Sequence, residues 1–369
     1  MRTARTPWLA ISLPVLFVAA ALGGCGNPGA AAHQARGDKA LAAGRYGEAI
    51  AAYSHARDLA PTDAKAQRGL MKARAFLIAE QPQRIPAELV EDLRYEASFL
   101  VESDASSAPV YLTALGNIAA RSGNPEEARA RYEAALKADP RSPVAHAALG
   151  LFFLNQKDGA ARAREEFDKV LELKPASPVA LVGLAQLSLA DGKAEPAAER
   201  LEAALKLGDD YTARYLLGGA RLKQNRIEDA IAEFQRATQL DPRSAEAHRS
   251  LGQALLSANR PEESERELRT AAAIAQDPPT VLALGYALAR QKKSDQALGQ
   301  FALVLQTQSR DAAALYGAAS ALEDLGRRDE ALAMYKRVLA LPPQPGSQLL
   351  AQLQQQAATR SEALQPKAP

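Results

Sequence analysis

The stretch Leu201–Arg260, "LEAALKLGDDYTARYLLGGARLKQNRIEDAIAEFQRATQLDPRSAEAHRSLGQALLSANR", carries nearly the same pattern twice, with Leu217-Gly218 answered by Leu251-Gly252 34 residues later. A chain repeats at such an interval when each short unit hides one apolar face on its neighbour, so that every unit must present the same face at the same spacing. On a 34-residue grid, registers begin at Ala30, Pro109, Pro143, Pro178, Tyr211, Ala245, Pro278 and Ala312.

The grid positions have distinct jobs. The eighth holds Gly37, Gly116, Gly150, Gly218, Gly252 and Gly285, with Ala185 and Ala319 in the other copies. The twentieth answers with Ala49, Ala128, Ala163, Ala197, Ala230, Ala297 and Ala331, and with Ser264 as the exception. Small residues on both helices of a hairpin predict close helix packing. The twenty-fourth carries Tyr53, Tyr132, Phe167, Phe234, Phe301 and Tyr335, with Leu201 and Leu268, a large plug between hairpins. Pro61, Pro140, Pro175, Pro242 and Pro343 stop the second helix, since a ring without an N–H cannot continue it. The Pro143 copy has one extra residue in its "NQKDGAAR" turn, which a surface turn absorbs.

These residues resemble the tetratricopeptide repeat over Ala30 to about Pro345, although the usual Trp at the fourth position is replaced, for example by His33, His146, Arg214 and His248. The resemblance implies an all-α fold, a right-handed α-solenoid of about nine hairpins at 30–63, 64–108, 109–142, 143–177, 178–210, 211–244, 245–277, 278–311 and 312–345. The solenoid as a domain spans 33–345. Hairpin 64–108 is degenerate: helical stretches near 64–78 and 87–102 flank the proline-bearing "AEQPQRIP", and the whole reads as a worn repeat that still stacks, with a purposeful bump for a partner as the alternative. Residues 346–369 form a capping helix and tail, with Leu349, Leu350, Leu353 and Ala357 on one face and Ser347 as N-cap.

The amino terminus has a different composition. "MRTARTPWLAISLPVLFVAAALGGCG" has a basic start, an apolar run and small residues before Cys25, the single cysteine, and reads as a secretory signal over 1–24. The run is short and interrupted by Pro14, which argues against a membrane-spanning helix. The order Leu22-Gly23-Gly24-Cys25 resembles the bacterial lipobox, which implies lipidation of Cys25 by several acyl chains, a stable anchor. Residues 25–32 then read as an acylated cysteine and flexible tether. The same resemblance implies the outer membrane, facing the periplasm, because Gly26 stands where inner-membrane retention of such lipoproteins would call for Asp.

Composition narrows the function. Hydrophobic residues make up 47% of the chain and aromatics only 5%, which suits small-residue helix packing. Without Arg2 and Arg5, the 45 basic residues fall to equality with the 43 acidic ones, so no electrostatic drive toward nucleic acid exists. No nucleotide loop, zinc-ligand pair, nucleophile elbow or paired-histidine metal motif occurs, so no catalytic residue, cofactor or metal is expected. The four histidines read as packing or surface residues, and the clusters Glu126-Glu127, Glu165-Glu166 and Glu262-Glu263 as solvated faces.

What remains is surface. In the resembled family the first helices line the concave side, which makes Asn117, Arg121, Leu151, Asn155, Gln186, Tyr215, Lys223, Arg249, Gln253, Tyr286 and Arg290 the candidate peptide-binding groove. The family's carboxylate clamp is incomplete, because Thr113 stands where Lys is needed beside Asn117. The partners are therefore protein or peptide segments, with the membrane reached through Cys25, and the repeats fix no oligomeric state. The sequence resembles pilotin-type lipoproteins of pilus and secretion systems, which implies a scaffold in outer-membrane assembly. An adaptor gathering cell-wall hydrolases or proteases is the alternative.

Overall fold

The computed structural model describes residues 27–81, 90–343 and 346–365; the expected signal peptide and Cys25 lie outside these. The architecture is all-α, with nineteen α-helices and one short 3₁₀ turn at Ala105–Ser107 among the described residues. Contacts divide the chain into two units, Met1–Leu187 and Ser188–Pro369.

In the first unit the helices are α1 (Pro28–Ala42), α2 (Tyr46–Leu59), α3 (Ala64–Glu80), α4 (Val90–Ser103), α5 (Ala108–Arg121), α6 (Pro125–Ala138), α7 (Pro143–Leu154) and α8 (Ala160–Leu173). Helix α9 (Pro178–Ala190) runs across the unit boundary. The second unit continues with α10 (Ala194–Leu207), α11 (Tyr211–Lys223), α12 (Ile227–Leu240), α13 (Ala245–Ser257) and α14 (Pro261–Ile274). It ends with α15 (Pro278–Arg290), α16 (Ser294–Thr307), α17 (Ala312–Asp324), α18 (Arg328–Leu339) and α19 (Gln348–Leu364).

The large residue at the twenty-fourth position plugs the stack. A Cβ placed on Gly150 would stand 2.8 Å from the Phe167 ring, and one on Gly183 2.4 Å from its other edge. Tyr53 is clasped in the same way by Gly37 and Gly69, and Phe301 by Gly285 and Gly317. Each ring therefore fills the gap between its own first helix and the next one. The twentieth position lies on the backbone beside the eighth: the exceptional Ser264 donates from Oγ to the Gly252 carbonyl at 2.7 Å.

The helix boundaries follow from local chemistry. Asp63, Ser142, Asp210, Ser244, Asp277 and Asp311 precede first helices and accept from backbone N–H groups in their first turns. Such caps each contribute about 1 kcal/mol. Residues before the stopping prolines are extended, as at Asp139 (φ −142°, ψ 99°) and Asp241 (φ −131°, ψ 89°). The turns inside hairpins need a left-handed residue at the fifteenth position. Gly44, Gly123, Gly192 and Gly326 supply it, whereas Asn225, Asn259 and Lys292 adopt it with side chains.

Three sequence expectations need correction. The segment read as a flexible tether to Ala32 is helical from Pro28, because the Asn27 side chain accepts from the Gly29 and Ala30 N–H groups and fixes the start of α1. Glu166 is no solvated acid; it is buried and bonded to His146 and Lys169. In the degenerate hairpin α3 runs to Glu80, beyond the expected end, and packs directly on α5 through Ala75, Ile78, Tyr111 and Ile118. The segment joining α3 to α4 falls at residues 82–89, outside the described residues.

Candidate functional site

Within each unit, first helices touch successive first helices, as α5 touches α7 and α13 touches α15, while second helices pack on the following first helix instead of on each other. First helices thus line the inner side of each unit, where the candidate groove residues sit.

In the first unit Asn117 is fully engaged. Its Nδ2 donates to the Ile78 and Ala79 carbonyls at 2.8 and 3.2 Å, and its Oδ1 accepts from the Tyr132 hydroxyl at 2.7 Å. Both ends of the amide are used inside the stack, joining α3, α5 and α6. Thr113 is buried and donates to the Pro109 carbonyl. Leu151 is half-buried on the core around Phe153. Asn155 caps the end of α7, donating to the Leu151 carbonyl at 2.9 Å. Arg121 is exposed and Gln186 half-buried, and neither side chain has a hydrogen-bond or ion-pair partner among the described residues.

The second unit brings more of the set together. The Tyr215 hydroxyl donates to Glu246 Oε1 at 2.9 Å and lies 3.3 Å from Ser250 Oγ, with its ring stacked on Tyr211. Burial raises the Tyr215 phenol above its ordinary value; Ser250 opposes and Glu246 adds to the rise. Arg249 reaches Asp277 at 3.3 Å, the residue that caps α15. Lys223 donates to the Leu189 carbonyl at 3.1 Å. The Tyr286 hydroxyl donates to the Ala313 carbonyl at 2.8 Å, and burial, helped by Asp311, pushes its pKa up to about 12. Gln253 and Arg290 are exposed, and their side chains have no partner among the described residues. Much of the set therefore binds one hairpin to the next, leaving Gln253, Arg290, Arg121 and Gln186 free to act outward.

Two features escaped the sequence reading. Glu246, at the second position of its repeat, holds Tyr215 in place from the next first helix. Gly219 stands at the ninth position, where Asn117, Gln186, Gln253 and Tyr286 stand in other hairpins, and a Cβ there would meet nothing within 4 Å. It leaves an open notch one helical turn from Tyr215, whereas a Cβ on its neighbour Gly218 would stand 2.7 Å from the Phe234 ring.

The fourth-position residues that replace Trp clamp first helix to second. His146 Nδ1 lies 2.5 Å from Glu166 Oε2, with its Nε2 3.0 Å from the Pro140 carbonyl. His248 repeats the arrangement with Glu267 at 2.7 Å and the Pro242 carbonyl at 3.3 Å. Arg214 does the same with Glu233 at 2.7 Å. These histidines are consumed by structure. No group of three or more His, Cys, Asp or Glu side chains able to hold a metal occurs among the described residues.

Comparison with known proteins agrees with this geometry. Residues 113–178 and 314–349 match descriptions of the tetratricopeptide repeat, and residues 218–258 match the TPR repeat. Anaphase-promoting complex subunit 7 of Arabidopsis thaliana is 27% identical over 129 residues, which cover 35% of this chain and 23% of that protein. The match thus spans about a quarter of that relative's length. The solved structure of Pseudomonas aeruginosa PilF is 22% identical, with 59% of this chain and 97% of that chain covered at a TM-score of 0.50. The APC/C Cut9–Hcn1 hetero-tetramer is 16% identical, with 89% of this chain and 76% of that chain covered at 0.54. Both share the fold. The chain carries tetratricopeptide repeats, whose stacked hairpins serve as a scaffold for protein binding.

Proposed function

We propose that this protein is a non-enzymatic scaffold, anchored to the outer membrane through acylated Cys25 and facing the periplasm, that holds peptide segments of partners assembling a secretion, pilus or other outer-membrane machine. The observation that carries the binding role is on the inner side of the second unit. There the exposed Gln253 and Arg290, without partners among the described residues, stand with the half-buried Leu256, Leu282 and Tyr286 on the same pair of helices. A helical or extended segment would set apolar side chains on the leucines, take a backbone bond from Gln253 and place a carboxylate on Arg290.

The anchor rests on the lipobox-like sequence, and the choice of machine on the resemblance to pilotin-type lipoproteins. A photo-crosslinking residue at position 253 or 290, activated in intact cells, tests the reading. An adduct with a subunit of a membrane machine is the expected result. Adducts confined to cell-wall hydrolases or proteases would replace it with the adaptor role, and the absence of any protein adduct would end it.

A further inference from the structure

The end of the stack nearest Cys25 is built differently from every later hairpin. Asn27 caps α1 and its Nδ2 donates to the Leu59 carbonyl at 3.3 Å, so a residue only two positions after the cysteine is already tied into the first hairpin. Two Cα–Cα steps of about 3.8 Å place the Cys25 Cα within about 7.6 Å of the Asn27 Cα. Whatever the cysteine is attached to, the first hairpin is attached to it almost directly.

Among the described residues no hairpin precedes α1 to cover the face it presents. At the seventh position α3, α5 and α7 bury Leu70, Leu115 and Leu149, whereas α1 exposes Arg36. At the tenth, α3 and α5 bury Ala73 and Ile118, whereas α1 exposes Lys39. An end hairpin needs a polar outer face for solubility. The other terminal helix, α19, meets that need with the uncharged Gln352, Gln355 and Gln356. The amino-terminal end instead carries cations, and neither Arg36 nor Lys39 has an ion-pair partner among the described residues. The acids of this hairpin are all occupied: Asp38 with Tyr53 and Lys65, Glu48 with Arg45, Asp58 with Arg57, and Asp63 with Gln34. Leu59, 47% exposed, adds an apolar side chain beside Asn27.

We propose that the bare face of α1 is a membrane-contact surface, with Arg36 and Lys39 lying on anionic lipid headgroups while the acyl chains at Cys25 hold it there. This rests on the anchored reading above and deepens it: the lipid fixes the orientation of the first hairpin as well as its location. Cations close to an anionic surface are attracted within a Debye length of about 8–10 Å. Arg36 and Lys39 stand about 14 and 18 Å along α1 from Asn27, so they enter that range when α1 lies along the surface.

The test uses the acylated full-length protein in vesicles of phosphatidylglycerol and phosphatidylethanolamine. A spin label at Ala35→Cys is compared with one at Gln355→Cys on α19, using a water-soluble nickel relaxant. We expect the label at position 35 to be shielded several-fold more than that at 355. The shielding should be lost in the Arg36→Glu/Lys39→Glu variant and at high salt, with the circular dichroism of the variant unchanged. Equal exposure of the two labels in a protein whose mass shows acylation overturns the contact surface and leaves the anchor standing. A mature chain without acyl groups overturns both.

Discussion

Gly218 and Gly219 are neighbours in α11 and face opposite constraints. A Cβ on Gly218 would stand 2.7 Å from the Phe234 ring, whereas one on Gly219 would meet nothing within 4 Å. Gly218→Ala is therefore expected to destabilise the protein by about 1–3 kcal/mol through overpacking. Gly219→Ala should stabilise it by up to about 1 kcal/mol, because alanine restricts the unfolded chain and favours helix. Denaturant titration of the two variants checks both signs, and destabilisation by Gly219→Ala would mean that the notch is already filled. The sequence distinguished Gly218, since its place recurs every 34 residues. It said nothing decisive about Gly219, because an open notch leaves no periodic trace. The left-handed turn position was legible from Gly44, Gly123, Gly192 and Gly326, but Asn225, Asn259 and Lys292 mask the pattern.

At the scale of helices, ionic clasps between hairpins decide how neighbouring elements hold together. Glu265 on α14 accepts from Lys293 at 2.7 Å, from Gln291 at 2.8 Å and from Arg269 of its own helix. Burial by itself would raise its pKa, but Lys293, Gln291 and Arg269 outweigh burial and hold it at about 2, below the ordinary 4.5. A carboxyl depressed in the folded state contributes stability that is present above its unfolded value and disappears as the pH falls through the folded one. The contribution of Glu265 should therefore be intact above about pH 4.5 and vanish toward pH 2. Thermal melts of wild type and Glu265→Gln should differ at neutral pH and converge toward pH 2; a difference independent of pH would show that charge is not what the clasp uses. Such clasps were not legible in advance. Repeat spacing reports which face a residue occupies, but Glu166, read as solvated, is buried by its bond to His146, and Asn117, read as a groove residue, is drawn inward by the carbonyls of Ile78 and Ala79.

For the molecule as a whole, each hairpin depends on the next for cover, so the last one depends on a helix that belongs to no repeat. Helix α19 packs Leu353 and Ala357 into the cluster of Leu315, Ala319, Leu322, Tyr335 and Val338. It is also tied by Arg360 to Glu323, by Arg328 to the Leu364 carbonyl at 2.6 Å, and by Gln354 to the Leu341 carbonyl at 2.9 Å. A chain ending before Gln348 would expose that cluster to water. In a stack of nearest-neighbour contacts the damage should remain local. Amide exchange in α17 and α18 should then quicken strongly, while protection in α11 and α12, which α19 does not touch, should stay close to that of the full chain. Solubility should fall, since an uncovered apolar end is a surface for association. Uniform loss of protection across the second unit would mean that its hairpins fold as a single cooperative block, and the account of stability as a sum of neighbouring contacts would fail for this protein.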